Sequence, residues 1–148
     1  LNQAILEAAR EKPFLGICMG LQVLMQHSQE NNGTDLMGVF EGEVVRFDGK
    51  AVGDNGLPLK VPHMGWSQVE QVGEHPLWQG IDSGSRFYFV HSYYVKPEDK
   101  SLVAATTDYG TGFTCAISHG KLFAVQFHPE KSADAGLQLL ENFVNWDI

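Results

Sequence analysis

The chain has 148 residues, 43% hydrophobic and 19% charged, which suits one globular domain long enough to bury a core. Its 18 acidic against 10 basic side chains give a net charge of −8 with no Lys/Arg cluster, which disfavours nucleic acid and anionic membranes as partners. No apolar run approaches the roughly 20 residues of a membrane span, and Cys18 and Cys115 have neither zinc-ligand nor disulfide-framework spacing, so free thiols in a reducing, cytoplasmic setting are expected.

Apolar residues at Leu1, Ile5 and Ala8/Ala9 have helical spacing, and Pro13 stops that helix. Phe14 to Ile17 follow as a short buried strand, and Leu21, Leu24 and Met25 mark one face of the next helix. Asn31-Asn32-Gly33 is a breaker. Val39 to Phe47, Val61 to Val72 and Arg86 to Val95 have strand composition; Asp48 to Leu59, with Asn55-Gly56, reads as a loop or hairpin tip. Phe113 to Ser118, the turn His119-Gly120 and Lys121 to Phe127 read as a hairpin. Ser132 is positioned to cap a last helix with Leu137, Leu140 and Val144 facing inward. The order of elements predicts an α/β fold with a mixed sheet, in one domain over residues 1–148.

Cys18 stands between Gly16 and Gly20 where strand turns into helix. Such a corner projects a side chain clear of the sheet, and glycines at −2 and +2 let neighbouring chains approach, as in the G-x-S-x-G elbow. Free N–H groups at a helix start favour a thiolate and a developing oxyanion. Cys115, inside a hairpin strand, reads as a small core residue. His128 ends the β-like run Phe123 to Phe127, Pro129 fixes the backbone after it, and Glu130 is placed to accept the ring's other N–H. Nucleophile, base and orienting acid are the parts of covalent acyl transfer. Of the other histidines, His27, His75 and His119 read as surface or turn residues.

Gly16-Ile-Cys18-Met-Gly20-Leu-Gln22 together with Gln126-Phe-His128-Pro-Glu130 resembles the class I glutamine amidotransferases. Gly42 to Phe47, Val61-Pro-His-Met-Gly-Trp66, Phe87 to Tyr93 and Lys131-Ser132 bring it nearest to the HisH family, the glutaminase subunits of imidazole glycerol phosphate synthase. The resemblance implies a flavodoxin-like fold with a mixed central sheet, N-terminally incomplete because the family's first strands and helix precede Leu1. It implies Cys18 as nucleophile, His128 as general base and acid, Glu130 as orienter and Met19 as an oxyanion donor. It also implies glutamine contacts from Gln22, Glu30 and the backbone of His91, Ser92 and Tyr93. The implied partner is a (β/α)₈-barrel cyclase that receives ammonia, docked on Pro62, His63, Met64, Trp66 and Lys131. No metal or cofactor is implied. Another class I glutaminase, a γ-glutamyl peptidase and a catalytically idle fragment are the alternatives.

Overall fold

A computed structural model describes residues 2–50, 52–53 and 56–146. Leu1 of the first helical pattern and Asn55 of the expected tip lie outside the described residues. In chain order the elements are α1 (Asn2–Glu11), β1 (Phe14–Ile17), α2 (Met19–Gln22), β2 (His27–Ser28), β3 (Thr34–Asp35), β4 (Gly42–Arg46), β5 (His63–Gln68), β6 (Glu70–Gln71), β7 (Arg86–His91), β8 (Tyr93–Pro97), β9 (Val103–Asp108), β10 (Gly112–His119), β11 (Leu122–Val125) and α3 (Ala133–Val144), with short 3₁₀ turns between some of them.

The main sheet runs β1-β11-β10-β8-β4-β2-β3, with β9 added on β10 and β6 on β9. It is mixed, as expected: β1 lies parallel to β11 and β2 to β4, while β10 is antiparallel to β8, β9 and β11. β5 and β7 pair antiparallel as a separate two-stranded sheet. Both faces of the main sheet are covered. Phe123 and Val125 of β11 join Phe87, Phe89, Phe113, Phe127 and Leu139 on one side. Leu122 and Ala124 join Ala9, Leu21, Leu24, Met25, Val44 and Val95 on the other. A strand apolar at every position is the mark of one buried on both faces. No helix among the described residues is long and apolar enough to cross a membrane.

Four local expectations are corrected. The helix after Cys18 stops after one turn, at Gln22. The carbonyls of Val23, Leu24, Met25 and Gln26 accept N–H groups from Met37, Phe40, Gly38 and Leu36 instead of continuing a helical ladder. The same bonds keep Val39 to Glu41 out of β4. The strand β9 was not expected: Val-Ala-Ala-Thr-Thr-Asp has little apolar bulk, yet Ala104, Ala105 and Thr107 are buried between β10 and β6. In α3 the inward residues are Gly136 and Leu139, with Phe143 packed beside them, whereas Leu137 and Val144 are 64% and 80% exposed. The reason is steric. A Cβ on Gly136 would lie 1.9 Å from the Pro129 carbonyl oxygen, so this glycine sets which face of α3 sits on the sheet. Ser132, finally, does not cap α3 through its side chain. Its hydroxyl is used elsewhere.

Candidate active site

β1 and β11 are neighbouring parallel strands with Ile17 opposite Val125. Cys18 and Gln126 therefore leave the sheet side by side at the carboxyl ends of the strands, where open α/β sheets place their chemistry. The Cys18 N–H donates to the Val125 carbonyl at 2.8 Å. Its φ of 56° and ψ of −106° fall outside the regions an L-residue ordinarily occupies. Backbone strain of this kind costs on the order of 1–3 kcal/mol and is held only by its surroundings. Gly16 is what permits the corner, since a Cβ there would meet the Gly20 carbonyl oxygen at 2.7 Å. Gly20 has nothing within 4 Å of a Cβ of its own. Of the two flanking glycines, only Gly16 is required by close approach.

The thiol's pKa is raised, against the expectation of a helix-stabilised thiolate. Burial is the main cause; the Met19 N–H beside the sulfur lowers it, the Glu130 charge raises it, and the Gln126 amide lowers it. A helix of one turn supplies too little to offset desolvation. The resting nucleophile is a thiol and must lose its proton as it attacks.

The base is held through its backbone. The His128 N–H donates to the Tyr88 carbonyl at 2.9 Å, the Ser132 hydroxyl donates to the His128 carbonyl at 2.5 Å, and the Tyr88 N–H donates to the Ser132 oxygen at 2.9 Å. Ser132, 1% exposed, thus ties His128 to β7. On the ring, Nδ1 lies 2.5 Å from Glu130 Oε1. A carboxylate accepts only, so Nδ1 carries a hydrogen and Nε2 is the nitrogen free to take a proton. Glu130 itself is exposed.

Gln22 is buried, and its Nε2 donates to the Tyr93 carbonyl at 3.1 Å and to Gln126 Oε1 at 3.0 Å. Both amide hydrogens are thereby committed, and the oxygen, free of any partner among the described residues, is left to accept from a ligand. Glu30 starts the 3₁₀ turn after β2, whose partner β4 pairs in turn with β8 at Arg46 and Tyr93. The structure so brings Glu30 to the same end of the sheet as Ser92 and Tyr93. Gln126 went unassigned in the sequence, although an amide inside the run Phe123 to Phe127 was a signal; its Nε2 lies 3.7 Å from the Cys18 sulfur.

Of the five expected docking residues, Pro62, Met64, Trp66 and Lys131 are exposed, Met64 at 61% and Trp66 at 51%. His63 is a correction: it faces inward, 1% exposed, because alternation along β5 turns it under the strand. Its ring stacks on Tyr109 and Phe89, with centroids 3.9 and 4.8 Å away. His91, also buried, faces it across the β5–β7 pair.

Burial holds both rings neutral, pulling His63 from 6.5 to about 3 and His91 from 6.5 to about 4; His91 lowers His63 further, while the Tyr93 carbonyl raises His91 and His128 lowers it. The unfolded chain takes up these protons below about pH 6.5 and the folded chain does not, so protons favour the unfolded state. Stability is fully present above about pH 6.5 and falls as pH drops toward the folded values. The melting temperature is expected to decline between pH 7 and pH 4, and His91→Phe to flatten that decline. An equally steep decline in the variant would remove His91 from the account.

A strained cysteine corner beside a His–Glu pair at the ends of parallel strands is the arrangement of a class I glutamine amidotransferase, and residues 1–146 match the family model "Glutamine amidotransferase class-I". The chain is 57% identical over 148 residues to imidazole glycerol phosphate synthase subunit HisH of Hydrogenovibrio crunogenus, covering 99% of this chain and 67% of that protein. It is 57% identical to the HisH subunit of Thiobacillus denitrificans, at 99% and 64% coverage. It belongs to the class I glutamine amidotransferases as a HisH-type member, and spans about two thirds of the length of these relatives. The crystal structure of a glutamine amidotransferase from Thermotoga maritima shares the fold, with a TM-score of 0.61 at 22% identity over 97% of this chain and 52% of that one.

Proposed function

We propose that the chain hydrolyses the side-chain amide of glutamine to glutamate and ammonia in the cytoplasm. Ammonia then passes to a barrel-shaped cyclase subunit that makes imidazole glycerol phosphate. The observation that carries the reading is the Cys18 corner beside His128, whose Nδ1 is bound to Glu130.

His128 Nε2 takes the Cys18 proton as the sulfur attacks the amide carbon, and Glu130 steadies the imidazolium that forms. The Met19 N–H, beside the sulfur, is placed to donate to the oxyanion. His128 returns the proton to the leaving nitrogen, so ammonia departs and a glutamyl thioester remains. His128 next activates a water molecule; hydroxide adds to the thioester, glutamate leaves, and the thiol regains its proton. The Gln22 oxygen and Glu30 carboxylate are acceptors suited to the substrate ammonium, with Ser92 and Tyr93 lining the same end of the sheet. An electrophilic glutamine analogue is expected to label the full-length protein at Cys18, read by peptide mass. No adduct, or an adduct at Cys115 instead, would overturn the assignment.

The ammonia acceptor docks on the exposed edge of β5. Free ammonia in neutral water is mostly protonated and lost to the reaction, so release inside a contact has an evident use. Met64 and Trp66 give an apolar, aromatic surface, and the Trp66 ring lies 5.9 Å from that of Tyr88, whose backbone holds His128. Trp66→Ala in the full-length protein is expected to weaken cyclase binding by about 1–4 kcal/mol, with more glutamine hydrolysed per nucleotide product. A wild-type dissociation constant and product ratio would place the docking face elsewhere.

A further inference from the structure

A chain of hydrogen bonds runs from β5 to the thiol, and one carbonyl fixes its direction. The Tyr93 carbonyl can only accept, so His91 Nδ1, 2.8 Å away, must carry a hydrogen. In a neutral ring His91 Nε2 is then an acceptor. It lies 3.0 Å from His63 Nδ1, which must therefore be the donor. His63 Nε2 is left as an acceptor, and the Ser67 hydroxyl donates to it at 2.8 Å. Beyond the carbonyl the chain continues through Gln22 Nε2 to Gln126 Oε1 and from Gln126 Nε2 to the Cys18 sulfur.

We infer that His63 is a positioning residue for the nucleophile: its Nδ1–H fixes the His91 tautomer, and through the Tyr93 carbonyl, Gln22 and Gln126 it sets where the Cys18 sulfur rests. The inference rests on Cys18 being the nucleophile. It does not require His63 to touch glutamine or to exchange protons. Packing alone does not explain an imidazole here, since the site between Tyr109, Phe89, Phe47 and Phe113 is aromatic on every side and an apolar side chain would suit it. The titratable groups facing the two rings are Tyr109, stacked on His63, and His128, whose charge acts on His91. Burial keeps the pair neutral, so the tautomers persist at the pH where the enzyme works. Without the His63 donor, the buried His91 Nε2 loses its partner; the ring then gains by turning or changing tautomer, which releases the Tyr93 carbonyl and the two glutamines.

The test combines spectroscopy with two substitutions in the full-length protein. Nitrogen-15 shifts of the histidine rings are expected to show both His63 and His91 as neutral Nδ1–H tautomers from about pH 5.5 to about pH 8.5, a range in which an unperturbed imidazole titrates. An Nε2–H tautomer, or titration near pH 6.5, would overturn the chain. His63→Leu keeps the volume and removes the donor; His63→Asn keeps a donor near the Nδ1 position. The Leu variant is expected to lose about 10- to 10²-fold in kcat for glutamine hydrolysis, the cost of a small misplacement of a reacting group, with KM within about twofold, while Asn recovers most of the loss. Equal losses in both variants, an effect on KM alone, or an unchanged Leu variant would each refute the proposal. Should the Leu variant not fold, the tautomers and the Asn variant decide. The ring shifts do not depend on activity, so they separate failure of this chain from failure of the Cys18 mechanism.

Discussion

Replacing Cys18 with alanine is expected to abolish glutamine hydrolysis while leaving the fold intact. Nucleophile, base and acid act as a unit, and removing the nucleophile from such a unit costs about 10⁴-fold or more in kcat. The fold should tolerate the change. Cys18 makes its structural contacts through its backbone, with its N–H on Val125 and its carbonyl receiving Leu21 and Gln22. The left-handed φ persists in alanine, so the strain is neither added nor relieved. The one side-chain bond lost is the long contact with Gln126. Cys115→Ala is the control: this thiol is fully buried, accepts from Thr107 at 3.2 Å, and is pushed up to about 12 by burial, so it cannot serve as a nucleophile. Turnover of the full-length protein, measured beside circular dichroism, decides. Turnover retained in Cys18→Ala would remove the residue from the mechanism. Near-complete loss in Cys115→Ala with an intact fold would move attention to the wrong thiol.

Local chemistry was legible in the sequence where one residue's role is set by its immediate neighbours. Gly16-Ile-Cys18 reads as a corner because only glycine allows the Gly20 carbonyl so near. His128-Pro-Glu130 reads as base and orienter because an offset of two residues brings carboxylate and ring together without help from the rest of the fold. The hairpin of β10 and β11 was legible from alternation and Gly120. What stayed hidden depends on contacts far apart in the chain. His63 and His91 are 28 residues apart and meet only because β5 and β7 pair in one register. Alternation was applied to β5 as a surface ribbon, and nothing local shows that one face of it covers an aromatic cluster. The inward face of α3 was misread because its apolar residues ring the helix, and the deciding residue, Gly136, has no side chain to count. Ser132 looked like a helix cap because serine usually is one there; tertiary contact with β7 claims its hydroxyl instead. β9 escaped because alanine and threonine give a weak apolar signal even in a buried strand.

His128→Asn should be nearly as damaging as loss of the thiol, and Glu130→Gln clearly less so. Asparagine cannot take the Cys18 proton, and the raised thiol pKa means little thiolate exists without a base to generate it. The backbone bonds of position 128 to Tyr88 and Ser132 survive in asparagine, so the variant should fold and isolate the chemical defect. Glu130 moves no proton. It holds Nδ1 and offsets the charge of the imidazolium, and it does so from an exposed position where water replaces part of its effect. It also raises the Cys18 thiol, so its removal eases deprotonation slightly while costing orientation. These opposed effects predict a loss for Glu130→Gln smaller by roughly 10- to 100-fold than for His128→Asn, comparable with the gap between acid and base in a well-studied serine triad. The measurement is kcat for glutamine hydrolysis by both variants of the full-length protein. Equal losses would mean that Glu130 does more than orient, and a fully active His128→Asn would place the base elsewhere.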